Sequence, residues 1–299
     1  MSQAVQQPVA DASCDGKNAT ILPLPAWQWV VLLALGVWLY HSILSSLAYQ
    51  WWTDPNFSHG VFVPLFVALL IWRDRRELAQ IPLKPSWIGL PIIVAALATL
   101  LTGVFGAELF LSRSSLILLA AGGVIYFAGW RYFRAMLFPW LFLFLMIPIP
   151  AIVFNQITLP LQFFASETAA EILRLFSVPV LREGNVIVLP RMPLEVAEAC
   201  SGIRSLMSLA TMAIIYGYFA DSSVWRRVVL ALMAIPVSVA ANALRIVGTG
   251  LTVQYWDPDK ALGFFHEFSG WLIFVVSLIM LFALHTLLRK LSQWMGNKT

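Results

Sequence analysis

The stretch Trp271-Leu-Ile-Phe-Val-Val-Ser-Leu-Ile-Met-Leu-Phe-Ala-Leu-His-Thr-Leu-Leu288 contains eighteen residues and no Asp, Glu, Lys or Arg. An apolar run of this length matches the ~20 residues with which an α-helix crosses the hydrocarbon core of a bilayer. Runs of the same kind recur along the chain. They predict spans over about 26–47, 59–72, 87–105, 114–129, 135–153, 202–219, 228–252 and 268–288. Composition agrees, since 60% of the 299 residues are hydrophobic and 11% are charged. Soluble domains carry roughly 25% charged residues. The fold class is therefore an all-α polytopic membrane protein with about eight transmembrane helices.

The charges between the spans orient the bundle. Arg73, Arg75, Arg76 and Lys84 fall in one loop, Arg131 and Arg134 in another, Arg226 and Arg227 in a third, and Arg289, Lys290 and Lys298 in the C-terminal tail. With eight spans they share one face with the N-terminus, which the positive-inside rule makes cytoplasmic. The same loops explain the net charge of +4, so a nucleic-acid partner is not expected. Residues 1–25 are polar, do not resemble a cleavable signal peptide, and read as a disordered cytoplasmic tail. Residues 26–290 form the transmembrane domain, and 291–299 a second cytoplasmic tail.

The opposite face receives the remaining polar segments. Residues 154–176 alternate apolar side chains with Gln156, Gln162, Glu167, Glu171 and Arg174, a pattern suited to an amphipathic helix at the interface or on the bundle. Pro179 to Pro190 reads as a short β-hairpin turning at Glu183-Gly-Asn185. It leads to Glu195-Val-Ala-Glu-Ala-Cys-Ser-Gly-Ile-Arg-Ser205. Cys200 is one of two cysteines, the other being Cys14 in the N-terminal tail, so there is no disulfide framework. A lone buried cysteine is ordinarily an inert small hydrophobe. Cys200 instead stands at the start of a span, where unpaired N–H groups and the helix dipole favour a thiolate, with Arg204 one turn further on.

Two more polar groups share that face. Arg245, in Ala240-Ala-Asn-Ala-Leu-Arg245, lies inside the seventh span with Asn242 on the same helical face. A guanidinium at such depth needs a partner or a wet cavity, and Glu195, Glu198 or Glu267 could pair with it structurally. Gly248 and Gly250 would permit close helix packing. His266 opens the eighth span and can exchange a proton near neutral pH. His59, in Phe57-Ser-His-Gly60, shapes the site or caps the chain. His41 and His285 lie in apolar runs and take no assigned role. Metal-ligand spacings and nucleotide fingerprints are lacking, so neither metal nor cofactor is expected.

Glu198-Ala-Cys-Ser-Gly-Ile-Arg-Ser205, Asn242-Ala-Leu-Arg245, and Phe265-His266 followed by Phe268-Ser-Gly-Trp271 together resemble the exosortase/archaeosortase family of membrane transpeptidases. Trp52-Thr-Asp-Pro-Asn-Phe-Ser-His-Gly60 is similar to that family's N-terminal motif, and no appended periplasmic domain follows the last span. The resemblance implies a Cys-Arg-His catalytic set, here Cys200, Arg245 and His266, supported by Arg204, Glu198, Asn242, Ser201 and His59. It implies exported substrates with C-terminal sorting signals of the PEP-CTERM type, each a short motif, a hydrophobic helix and a basic tail. It further implies a multi-pass protein of the bacterial inner membrane, often linked to exopolysaccharide production, with its active site on the periplasmic face.

On that resemblance Cys200 would form a thioester, His266 would act as general acid and base, and Arg245 would stabilise the oxyanion or thiolate. Either Arg204 or Arg245 could face the thiol. Two other classes remain open at this stage. A thiol-dependent membrane acyltransferase would trap acyl chains on Cys200. An anion transporter would use Arg245, Asn242 and the glutamates, would give Cys200 no role, and would be expected to show repeated halves, which the chain lacks.

Overall fold

The computed structural model describes residues 25–196, 202–256 and 264–296, without the side chains of 26, 264–267 and 295–296. Cys14, Glu198, Cys200 and Ser201 lie outside the described residues, as does the side chain of Glu267.

Helices form where the apolar runs predict them. In chain order they are α1 (Ala26–Thr53), α2 (Phe62–Arg73), α3 (Arg75–Gln80), α4 (Gly89–Phe105), α5 (Leu109–Ala128), α6 (Trp130–Ala135), α7 (Leu137–Phe142) and α8 (Ala151–Leu175). After three short strands follow α9 (Ile203–Ala220), α10 (Val224–Tyr255) and α11 (Phe264–Gly296). Among the described residues five helices are long and apolar enough to cross a membrane: those containing Trp27–Thr53, Leu109–Ala128, Ile203–Ala220, Val224–Tyr255 and Phe268–Trp294. The bent pair Leu137–Met146 and Ala151–Leu175, taken as one span, makes a sixth, and two shorter apolar helices, Ser58–Arg73 and Gly89–Phe105, stand at two further positions of the eight expected spans. The helix of the second expected span is preceded by a 3-10 turn over Ser58–Val61.

The fifth predicted span is not continuous. Helix ends at Met146, Ile147–Pro150 is extended, and α8 departs at 77° to the segment before it. Pro148 and Pro150 cause the break. Each lacks an N–H for the helical ladder and drives the residue before it toward extended backbone. The expected amphipathic helix therefore starts at Ala151 and runs to Leu175, burying Gln162 and Ser166 and exposing Glu167 and Glu171.

The hairpin forms as predicted, with Leu181–Glu183 (β1) antiparallel to Val186–Val188 (β2). Gly184 takes the left-handed backbone (φ 66°) that this turn requires. A third strand, Pro193–Glu195 (β3), pairs with β2. It is too short and too proline-rich to read from alternation. The sheet packs Ile187, Leu189, Leu194 and Val196 onto α8 and α10. Gly250 brings α10 against Leu173 of α8, whereas Gly248 faces open space. The tightest helix pair is α4 with α5, where Gly89 lies on the Tyr126 backbone and Gly103 on Ser112.

The two ends of the bundle differ in chemistry. At the basic end, Arg73 donates to Tyr218 Oη (2.9 Å), and Arg227 stacks over the same ring at 4.9 Å. Asp221, between α9 and α10, is buried and accepts from Arg226 Nε and Nη2 (2.6 and 2.7 Å). His285 of α11 reaches Asp221 Oδ2 (3.1 Å), and Tyr216 meets His285 Nδ1 (2.9 Å). Arg226 also donates to Ser292 (3.0 Å). His285, which the sequence reading set aside, is thus part of a charged staple joining α9, α10 and α11.

The Arg226 guanidinium holds the Asp221 carboxyl well below the usual carboxylate range. Its stabilisation is therefore fully present above the unfolded Asp value of about 4 and is lost as pH falls through the lower folded value. Asp221→Asn is expected to cost about 3 kcal/mol, as for one partner of a buried pair, read as a lower melting temperature in detergent. The gap from wild type should hold near neutral pH and close only below about pH 4.

Candidate active site

At the end opposite the basic cluster, the four sequence motifs converge on α9 and α10. Helix α9 starts at Gly202, its N-cap, with φ 82°. An L side chain is strained in that conformation. Space is tight as well, since an added Cβ would lie 3.1 Å from Asn242 Cβ and 3.3 Å from its Nδ2, so that Asn242 would have to give way by a few tenths of an ångström. The glycine two residues after Cys200 thus lets the chain turn into α9 while pressed on α10. Asn242 is buried at this contact. On the near side of the undescribed residues 197–201, Val196 is fixed by Asn185: its N–H donates to Asn185 O (2.9 Å) and its carbonyl accepts from Asn185 Nδ2 (3.3 Å). The described residues on both sides of 197–201 are thus fixed, Val196 on Asn185 and Gly202 on Asn242.

Arg245 lies one turn below Asn242 on the same face of α10. It is ten residues from Tyr255, the end of α10, hence about 15 Å deep at 1.5 Å per residue. The predicted end of this span gave a shallower position. The half-buried guanidinium sits over Gly270 of α11, where an added Cβ would lie 3.5 Å from Nη2 and 3.6 Å from Cζ. His266 belongs to α11, one helical turn before Gly270, but its side chain lies outside the described residues. Glu195 is exposed in β3 and makes no ion pair among the described residues.

Arg204 links the start of α9 to the N-terminal motif. Its Nε donates to Asn56 Oδ1 at 3.4 Å, which ties the N-terminal motif to the first turn of α9. That motif is folded tightly: Asn56 N–H donates to Asp54 Oδ1 (2.9 Å). Gly60 lies against the Trp51 indole, whose Nε1 donates to Met146 O (2.9 Å). Phe57 packs with Phe154 and Ile203 in one small core. His59 is 6% exposed, inside this turn. Asn56 is the site-forming residue that the sequence reading did not single out, although it stands within the quoted motif.

A multi-pass helical protein whose sequence motifs gather at one end of the bundle is the class these observations define. Residues 51–283 match the model of the transmembrane exosortases (Exosortase_EpsH), and the chain belongs to this family of membrane protein-sorting transpeptidases, whose substrates are exported proteins with sorting signals. No curated protein and no solved structure matches it significantly.

Gly202→Ala should destabilise the protein by about 1–3 kcal/mol, from strain and overpacking combined. Gly248→Ala, where nothing lies within 4 Å, should leave the melting temperature unchanged. Equal melting of the two variants would contradict the close contact with Asn242.

Proposed function

We propose that the chain cleaves C-terminal sorting signals of the PEP-CTERM type through a Cys200 thioester and passes the released protein to an acceptor amine or water. The reading rests on one observation above others: a single face of α10 meets both remaining motifs, Asn242 touching Gly202 and Arg245 touching Gly270. Two residues of chain span at most about 7 Å, so Cys200 stays close to Gly202. His266 stands one turn, about 6 Å, from Gly270 along α11. The three groups thereby belong to one neighbourhood.

In the proposed reaction the Cys200 thiol gives its proton to His266 and the resulting thiolate attacks the scissile carbonyl. Arg245 stabilises the negative charge on the tetrahedral oxygen or on the thiolate. His266 returns the proton to the departing amine as the C–N bond breaks, which leaves an acyl thioester. The acceptor then attacks this thioester, gives its proton to His266, and restores the thiol. Glu198 and Ser201 flank the thiol in sequence, while Arg204, Asn242 and His59 hold the walls. The proposed setting is the bacterial inner membrane. The basic end and both termini would be cytoplasmic by the positive-inside rule, and the site would face the periplasm. Lateral access from lipid would admit the hydrophobic helix of the signal.

Cys200→Ala is expected to accumulate unprocessed substrate at normal protein abundance, followed by immunoblotting of an exported protein with such a tail. Continued processing would sink the assignment. Gly270 gives a graded second test. Gly270→Ala adds a Cβ in ordinary contact with Arg245 and should process normally. Gly270→Val should displace the guanidinium and slow processing by about 100-fold, the scale of losing one oxyanion donor.

A further inference from the structure

Away from the candidate active site, α1 and α5 touch without closing on each other. Trp29 rests on Phe127 with ring centroids 4.5 Å apart. Tyr40 Oη and Ser115 Oγ share a buried hydrogen bond of 3.0 Å. Arg113 of α5, only 3% exposed, donates to Gln50 Oε1 (2.7 Å) and Ser46 Oγ (3.4 Å) of α1. Between the first two of these contacts stand Gly36 on α1 and Gly123 on α5, and nothing lies within 4 Å of a Cβ added at either. Both glycines line a cavity of about 840 Å³, a volume within the range of ligand pockets. Its lining holds no Asp, Glu, Lys or Arg. From Trp29 to Leu44 it follows α1 for about 22 Å at helical rise. That exceeds the ~15 Å of hydrocarbon in one leaflet.

This apolar groove has a charged mouth. Leu83 and Tyr132 line it and also line a smaller cavity of about 270 Å³. The smaller cavity lies at the basic end, between α3 and α6, with Arg75 in its wall. Arg75 Nη1 donates to Trp72 O (2.7 Å), and the guanidinium stacks on the Trp72 ring at 4.4 Å. Its remaining N–H groups and the Tyr132 hydroxyl make no hydrogen bond among the described residues. Lys84 follows Leu83, and Arg131 precedes Tyr132. These two stretches are pressed together: Lys84 N–H donates to Ala128 O (3.1 Å), and Gly129 lies against Lys84 O. Arg75, Lys84 and Arg131 form no ion pair among the described residues. The acidic groups of the same two loops are Asp74 and Glu77. Asp74 is taken by Arg73 (2.7 Å), and Glu77 is exposed on α3, outside both linings. Uncompensated positive charge thus surrounds the polar opening of a long apolar groove.

We propose that the groove between α1 and α5 binds one anionic glycerophospholipid of the leaflet at the basic end. Its acyl chains lie past Gly123 and Gly36, and its phosphate meets Arg75, Lys84, Arg131 and the Tyr132 hydroxyl. Basic pockets between membrane helices hold anionic headgroups in this way. Charge selects the occupant. A partner helix with a basic tail would bring like charge to this mouth, and a zwitterionic lipid gains less from it. The bound lipid also has a structural consequence. Helix α1 carries Trp51, whose indole packs on Gly60 of the N-terminal motif, so a lipid that seats α1 on α5 supports that motif from a distance. The lipid is a standing component of the fold and takes no part in the proposed reaction, so its site stands whether or not the Cys200 mechanism holds.

The test uses the full chain, delipidated in a neutral detergent and titrated with phosphatidylglycerol or phosphatidylcholine of identical acyl chains. Native mass spectrometry counts the lipids bound. One phosphatidylglycerol should bind about tenfold more tightly than phosphatidylcholine, within the scale of two basic residues at an anionic headgroup. Arg75→Gln and Lys84→Gln should each weaken phosphatidylglycerol by about fivefold and leave phosphatidylcholine unchanged. Arg289→Gln, on α11 and outside both linings, should change neither. Gly123→Phe, which fills the groove, should lose both lipids. Gly248→Phe adds the same bulk where α10 faces open space and should keep them. Gly36→Phe fills the groove from the opposite wall and decides the matter if Gly123→Phe does not fold. Equal affinity for the two lipids, or equal weakening by Lys84→Gln and Arg289→Gln, overturns the proposal in favour of general surface attraction. So does displacement of phosphatidylglycerol by inorganic phosphate at equal concentration, which would make the mouth a receptor for the free anion. A dimer that binds no lipid and that Gly123→Phe dissolves would make the groove an interface between copies, and overturns it too.

Discussion

The contact of Gly202 with Asn242 is the constraint from which the rest of the site follows. It joins the start of α9 to the middle of α10 so closely that a side chain at position 202 would press on Asn242. Because α10 is a single helix from Val224 to Tyr255, that contact also fixes where Arg245 stands, one turn away. Arg245 in turn sits on Gly270, so the relation extends to α11. Three segments distant in sequence are thereby set by two glycines, each facing one polar residue of the same helix. At Gly202 glycine meets two demands at once, a left-handed backbone and a close approach to Asn242, whereas at Gly270 it leaves Arg245 at ordinary contact distance.

A second set of contacts holds the far end. Asp221, Arg226, His285 and Tyr216 tie α9, α10 and α11 where the basic residues gather. His285 and His266 are nineteen residues apart on α11, about 28 Å at helical rise. The helix is thus pinned near one end by a buried charge cluster and passes Arg245 near the other. A buried network of this kind is a poor source of net stability compared with apolar packing. Its value here is registry: it permits one rotation and one height of α11 against α9 and α10.

The sequence carried much of this because a bilayer imposes simple rules. Apolar run length located the long membrane-spanning helices, amphipathic alternation located α8, and loop charge separated the two ends that the structure also separates. Motif order pointed to Asn242, Arg245 and Arg204. What escaped was set by tertiary contact or by local proline chemistry. Pro148 and Pro150 turned an apparently uniform apolar run into a bent segment, and β3 was too short for periodicity to register. Asn56 and Arg113 escaped for different reasons. Asn56 matters because Arg204 reaches it across 148 residues, a separation no pattern encodes. Arg113 was legible in principle, as a lone arginine in an apolar segment, and was hidden by its place at the edge of a predicted span. His285 was read as apolar context because its partners lie 64 and 69 residues away.

The break at Ile147–Pro150 gives the bundle a feature that an unbroken span would lack. An intact helix there would satisfy its own backbone and present only side chains to its surroundings. Ending one helix and starting another at 77° leaves the N–H groups of α8 facing a polar cavity and sends α8 out beneath the β-sheet. Irregular backbone at the edge of a bilayer persists only where protein or water meets its polar groups. The cavity between α1, α5 and the start of α8, lined by Asn56, Asn155 and Arg113, supplies that environment. The two prolines therefore do more than interrupt a helix. They open the space beside α9 and aim a helix end into it, so the disruption of one span and the polar character of the adjacent cavity have the same origin.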